Sequence, residues 1–367
     1  MALTWPKALG WRLGRQLLDP IGHSSVADVV ARLGTVPAWP DAAAELAVGT
    51  RRQGGRSGDV SRALEAAKLV KVFLFRGAMH YLRPHDAGDR LALRASSKMW
   101  ELPSWVSYYG LAPDDWPRFR EYVRNALTEG PLTRTELAAA LGRSSRYRHL
   151  RDHLAGGNET LFKPLTWQGD MGLGPDRDGE PTFLRLDAVP GWGGIPDVEE
   201  AGPRVVEAYF RSYGPATPDR LQGWLGPGLG VKRKTVTRWL EGLRDRLVTV
   251  TIEGDRAVVL REDLAELEAA RVSASVRLLP GRDPWVMGPG TDEARVVPPA
   301  RREPVSRTAN PVVARGAVAG IWSIRDGCVE LTWFGESGRV PRAGLAEETT
   351  RLSSFLDRPL ELAVGID

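Results

Sequence analysis

An α+β fold of three tandem winged helix-turn-helix modules followed by a small C-terminal β-barrel is what this sequence predicts, from two observations. A pattern of helix, turn, helix and hairpin recurs about three times, most completely over Tyr209–Gly254. Beyond about Ser273 the hydrophobic period changes from 3.6 to 2, with short apolar runs separated by Gly, Pro and Asp. Recurrence of one supersecondary unit points to tandem modules and not to a single large core. The expected boundaries are residues 1–95, 96–190 and 198–270 for the modules and 273–367 for the barrel.

In the first module, WPKALGWRLGRQLL, SSVADVVARLG and AAAELAV read as helices. Arg51–Gly58 is a polar, glycine-rich loop, SRALEAAKLV a further helix with Ser61 as its cap, and KVFLFRG with AMHYLRP the paired wing strands. The second module begins near Asp114 with DWPRFREYVRNALTEG. Thr133 and Glu136 then have capping-box spacing ahead of an apolar run. RSSRYRHLRDHLAGG is its third helix, and LFKPLTWQ with PTFLRLD its wing. A linker rich in glycine and proline, Pro190–Pro203, leads to the third module.

There, a helix ends at Gly214, Pro215 to Thr217 turn the chain, and a short helix carries Leu221, Trp224 and Leu225. After a second turn, Val231, Thr235, Trp239, Leu240, Leu243 and Leu247 recur at helical spacing, while Lys232, Arg233, Lys234 and Arg238 fall mainly on the other side. VTVTI and AVVL flank Glu253-Gly254-Asp255, a hairpin turn signal. In the C-terminal region SVRLLPG, DPWVMG, ARVVPP, NPVVARGAVAGIWSIRDGCVELTWF and ELAVGI read as strands, interrupted by the helix LAEETTRLSSFLD.

The formal charge is +4 and arginine supplies most of the positive groups. The guanidinium fork suits oxyanions, so the balance points to phosphate contact. One cysteine, Cys328, excludes an internal disulfide and a cysteine-rich zinc site, and five scattered histidines, His23, His80, His85, His149 and His153, predict no metal site and no cofactor. No basic-then-apolar leader and no run of about 20 apolar residues is present. The expectation is a cytoplasmic monomer that binds double-stranded, damaged DNA and no membrane.

YFRSYGPATPDRLQGWLG, LVTVTIEG, LLPGRDPWVMG and NPVVARGAVAGIW, in this order, resemble the AlkZ-like DNA glycosylases, including the YcaQ type. FLFRGAMHYLRPHD is similar to that family's Arg-Gly-Thr-x-His stretch, with Ala78 where threonine is usual. The likeness runs from about Leu3 to the C-terminus. It implies three winged modules on a β-barrel that enclose a DNA channel, and removal of alkylated or bulky natural-product-adducted purines, in base excision repair or self-resistance.

Such cleavage needs a water held against the anomeric carbon while positive charge develops on the sugar. The resemblance implies that Gln-x-Gln or Gln-x-Asp, just before an Ala-Glu-Leu helix, would position it. Counting back from Ala44-Glu45-Leu46, the matching residues are Pro37-Ala38-Trp39. Proline has no side-chain acceptor and the Trp indole only donates, so both water-positioning groups are gone. Asp41 and Glu45 are the candidate substitutes; alternatively Asp41 caps the helix and Glu45 makes a structural pair. Trp39 either stacks on a base or planar adduct or packs between modules.

Candidate DNA contacts are Arg76 and His80 beside the first wing, the run Arg143, Arg146, Arg148 and Arg151 with His149 and His153, the helix residues Lys232, Arg233, Lys234 and Arg238, and the loop residues Arg301, Arg302 and Arg307. Each has a plainer reading: a carboxylate pair for Arg76, an interior position for His80, a solvated face for the others. The aromatic group around Glu101 (Trp100, Trp105, Tyr108, Tyr109) reads as core. Three functions follow: a glycosylase with reduced, altered or lost water activation, a catalytically silent winged-helix DNA-binding or regulatory protein, and a resistance protein that sequesters an intercalating drug.

Overall fold

The computed structural model describes residues 3–156 and 159–367. Two compact units are built from interleaved chain segments: residues 1–60, 206–224 and 237–367 form one, residues 61–205 and 225–236 the other.

In the first unit the helix Trp5–Arg15 carries Pro6 in its first turn, where a missing N–H costs nothing. Trp5, Ala8 and Trp11 pack with Ile252, Ala257, Val259 and Leu267, whereas Leu9 and Leu13 join Trp285, Val313 and Phe334. Ser25 caps the helix Val26–Leu33 by accepting from the Asp28 amide. Strands Leu247–Ile252 and Asp255–Leu260 form the antiparallel hairpin expected around Glu253-Gly254, with φ of 50° and 89° at those two residues. Ala216 adds an isolated bridge to Val258. The preceding turn is shorter than the sequence suggests, because the helix Pro218–Leu229 runs on through Pro227.

The C-terminal strands make an open five-stranded sheet and not the expected closed barrel. Their order is Glu361–Ile366, Cys328–Trp333, Ala317–Arg325, Asn310–Ala314, Val276–Leu278. All pairs are antiparallel except Cys328–Trp333 with Glu361–Ile366, and that parallel pair requires a crossover, supplied by the helix Arg342–Leu356. Leu345 and Leu352 of the helix share a core with Val276 and Leu278, and Glu348 accepts from the Leu278 amide at 3.2 Å. The helix therefore covers the edge strand that a barrel would have to pair. Two strand readings also fail: DPWVMG forms the helix Pro284–Met287, started by Asp283 accepting from the Trp285 amide, and ARVVPP is turn and coil.

In the second unit five strands run in the order Met79–Leu82, Val70–Phe73, Met171–Leu173, Thr182–Arg185, Leu132–Thr133, with every pair antiparallel. The first hairpin is as expected. The second is not: Phe162–Trp167 is a helix, and Met171–Leu173 takes its place beside Thr182–Arg185. Phe162, Leu165 and Trp167 are all buried, and Phe162 stacks on Phe183 at 4.3 Å. A segment buried on all sides has no periodicity from which to tell helix from strand. The capping box is present, with Thr133 Oγ1 accepting from the Glu136 amide at 3.3 Å and Glu136 from the Thr133 amide at 2.8 Å. Ser61 is no cap, since its helix starts at Asp59. The expected third helix from Arg143 is broken into a 3-10 turn, Arg148–Leu150, and a short helix, Arg151–Ala155; Gly157, at its expected end, lies outside the described residues.

Candidate nucleic-acid interface

Pro37-Ala38-Trp39, the segment that the sequence sets in the place expected for the water-positioning motif, lies in the first unit. Val36 and Pro37 are extended, Ala38 is buried, and Trp39 is 62% exposed, with only its carbonyl engaged, accepting from Arg282 Nη1 at 3.3 Å. The Trp39-Pro40 peptide is cis. Pro40 occupies the N-cap of the helix Asp41–Gly49, so Asp41 is its first helical residue and not its cap. A carboxylate there is favoured by the positive end of the helix dipole. Asp41 is exposed, whereas Glu45, one turn on, is 7% exposed and accepts from the Val60 amide at 2.9 Å. That N–H belongs to the first turn of the helix Asp59–Glu65, which has no intrahelical acceptor for it. Glu45 thus carries a structural hydrogen bond.

Among the cations of the second unit, Arg76 is exposed at the tip between Val70–Phe73 and Met79–Leu82, in the left-handed region at φ 52°. His80 is different. It is buried, its Nδ1 lies 3.0 Å from the Ala78 carbonyl, and its ring packs on Phe75. Burial pushes the imidazole down to about 4, so near neutral pH it carries no charge to offer a phosphate. Arg146 is held by Asp115, which lowers that carboxyl below its usual range. Arg143, Arg148 and Arg151 are exposed and make no ion pair among the described residues. His149 Nε2 lies 3.1 Å from the Tyr109 carbonyl, and His153 packs on Tyr108 and Tyr109. That aromatic group is only partly core, since Tyr108 is exposed while Trp100 and Tyr109 are buried.

Lys232, Arg233 and Lys234 stand exposed at the start of the helix Arg233–Gly242. Three cations at the positive end of a helix repel the dipole unless an anion joins them. Two further cations escaped the sequence reading. Lys163 lies in a segment read as a strand, and Arg94 ends the helix Pro84–Ala95 with no sequence signal to single it out.

In the first unit, Arg238 is exposed on the same helix. The segment read as a loop around Arg301, Arg302 and Arg307 is a 3-10 turn, Pro299–Arg301, followed by the helix Arg302–Ser306. Arg301 is committed to Glu336, with two bonds of 2.8 and 3.0 Å, and to Asp367, which together hold its guanidinium above its usual range. Arg307 pairs with Glu303 at 2.8 Å on the exposed helix face, and Arg302 is exposed with no ion pair among the described residues. No group of residues able to hold a metal ion occurs among the described residues, and none of their helices is long and apolar enough to cross a membrane.

Comparison with known proteins gives a consistent result. The DNA glycosylase AlkZ-like family model matches residues 30–355. An interstrand DNA cross-link repair glycosylase of Streptomyces sahachiroi is 35% identical over 359 residues, 96% of each chain. The solved structure of Streptomyces sahachiroi DNA glycosylase AlkZ is similar over 100% of both chains, with a TM-score of 0.92 and 33% identity.

Proposed function

This chain belongs to the AlkZ-like DNA glycosylase family, and from that premise we propose that it binds duplex DNA as a monomer through tandem winged modules and acts at alkylated or bulky-adducted purines, with an altered arrangement for the attacking water. The observation that carries this reading is the full-length likeness to a cross-link repair glycosylase, and the exposed Arg76, Arg143, Arg148 and Lys232, with no ion pair among the described residues, fit it. In the reaction, water oxygen bonds to the anomeric carbon as the glycosidic bond breaks, its electrons leave with the base, and the water's proton passes to an acceptor. A cationic N7 adduct already makes the base a good leaving group, so the acceptor has mainly to orient the water. Asp41 is the carboxylate suited to it, being exposed two residues after Trp39, while Glu45 is engaged with Val60. Trp39 offers a flat apolar surface to a displaced base or planar adduct, worth roughly 1–3 kcal/mol by stacking.

The test is incubation with a duplex carrying N7-methylguanine, followed by alkaline cleavage at abasic sites. Strand breaks above spontaneous depurination are expected, reduced roughly tenfold or more in Asp41→Asn. The lack of a side-chain acceptor at Pro37 and Trp39 favours a second reading, a silent binder of damaged DNA. Salt-dependent binding with no breaks above background would establish that reading in place of catalysis.

A further inference from the structure

Arg94, at the end of the helix Pro84–Ala95, is only 8% exposed. Its Nη1 donates to Ser97 Oγ at 3.4 Å and its Nη2 to Met99 Sδ at 3.1 Å, its guanidinium carbon lies 4.0 Å from the centre of the Trp167 ring, and its Nε has no hydrogen-bond partner among the described residues. None of these is an anion. Burial pushes its guanidinium down with no carboxylate to oppose the shift. A cation taken out of water without a counter-ion is a costly arrangement.

What stands beside it is a glycine. Gly230 is exposed at φ 85°, and a Cβ placed there would meet Arg94 Nη1 at 3.5 Å and Ser97 Oγ at 3.9 Å. Any side chain at this position would therefore stand against the edge of the guanidinium fork. Two residues on, exposed Lys232 leads into the helix Arg233–Gly242, with exposed Lys234 in its first turn. On the other side of this segment, Gly228 receives the Phe75 ring, next to Arg76 at the hairpin tip, and Gly77 of that tip faces Lys163 Nζ, 3.3 Å from where its Cβ would lie. Arg76 and Lys163 make no ion pair among the described residues.

We propose that Arg94, Lys163 and the turn from Gly228 to Lys234 form a cradle for backbone phosphates of DNA, with a phosphodiester oxyanion as the counter-ion that Arg94 lacks. The cradle rests on the DNA-binding reading given above. Phosphate suits it because a guanidinium and an ammonium both donate to oxyanions, the first as a planar fork and the second as a point charge.

The test is fluorescence anisotropy of a short labelled, undamaged duplex titrated with the full chain between about 50 and 200 mM salt, alongside thermal unfolding without DNA. Arg94→Met is expected to weaken binding about tenfold at the low-salt end and to make the log–log salt slope shallower by about one, with an unchanged or higher Tm. Lys163→Gln, on a partly exposed side chain, is expected to shift the slope similarly, and Lys68→Gln, at an exposed site three residues beyond the helix Asp59–Glu65, to leave it unchanged. If Arg94→Met lowers Tm while affinity and slope stay at the wild-type values, Arg94 is a packing residue and the cradle is wrong. If Lys163→Gln folds normally and keeps the wild-type slope, the cradle is also wrong. A wild-type chain with no salt-dependent binding would instead overturn the DNA-binding reading itself.

Discussion

His80 illustrates what a residue type alone leaves open. The Ala78 carbonyl only accepts, so Nδ1 must carry the proton, and the ring is held neutral in an apolar setting against Phe75. Its folded pKa of about 4 lies below the ordinary 6.5, so between those values the unfolded chain binds more protons. Stability from this group is complete above pH 6.5 and is lost as pH falls towards 4. Between pH 7 and pH 5 the loss should be about 2 kcal/mol by urea unfolding, and His80→Phe, which keeps a ring but cannot titrate, should remove that part of the pH slope. An equal slope in both proteins would place the titration elsewhere. The alternating pattern of FLFRGAMHYL made the hairpin legible, yet which face met the core depended on partners distant in sequence. Trp39 is the opposite case: a large apolar residue left 62% exposed beside a proline on each side of Ala38-Trp39, so its prominence was visible in the sequence although its exposure was not.

At the scale of elements, the segment Arg51–Gly58 read as a solvated loop because it is polar and rich in glycine. Its first residue is instead a fully buried junction. Arg51 donates to both Asp283 oxygens at 2.7 and 2.8 Å and to the carbonyls of Gln16 and Ala47, and Asp283 also starts the helix Pro284–Met287. One ion pair thus ties the end of Asp41–Gly49, the end of Trp5–Arg15 and the start of Pro284–Met287. Removing one partner leaves a buried charge uncompensated, so Asp283→Ala should cost about 3–5 kcal/mol in urea unfolding, and Asp283→Asn, which keeps an oxygen for the Trp285 amide, less. A loss below about 1 kcal/mol for Asp283→Ala would mean that water reaches Arg51. Sequence separation hid this pair; its residues are 232 positions apart.

On the scale of the whole chain, the compact units are discontinuous in sequence. The first unit joins residues 1–60 to 206–224 and 237–367. Within it, Arg12 donates to the Gly214 and Pro215 carbonyls, Gln16 to that of Ser212, and Trp5 to Asp255. A fragment of residues 198–367, cut at the boundary that the sequence suggests, should therefore lack cooperative unfolding and near-ultraviolet signal, since it exposes the core that Trp5, Leu9 and Leu13 complete. Co-addition of residues 1–60 should restore structure if the interpretation is correct; a fragment that folds by itself would contradict it.

Local signals were sufficient where the deciding forces were local: the capping box at Thr133 and Glu136, the turn at Glu253-Gly254, the basic start of Arg233–Gly242, and the family likeness. Tertiary packing decided the open C-terminal sheet, the helix at Phe162–Trp167, the burial of His80 and Arg94, and the commitment of Arg301 to Glu336 and Asp367. The division has a single physical cause. Caps, turns and amphipathic faces are determined by neighbours within a few residues, whereas burial and charge pairing depend on groups that only folding brings together.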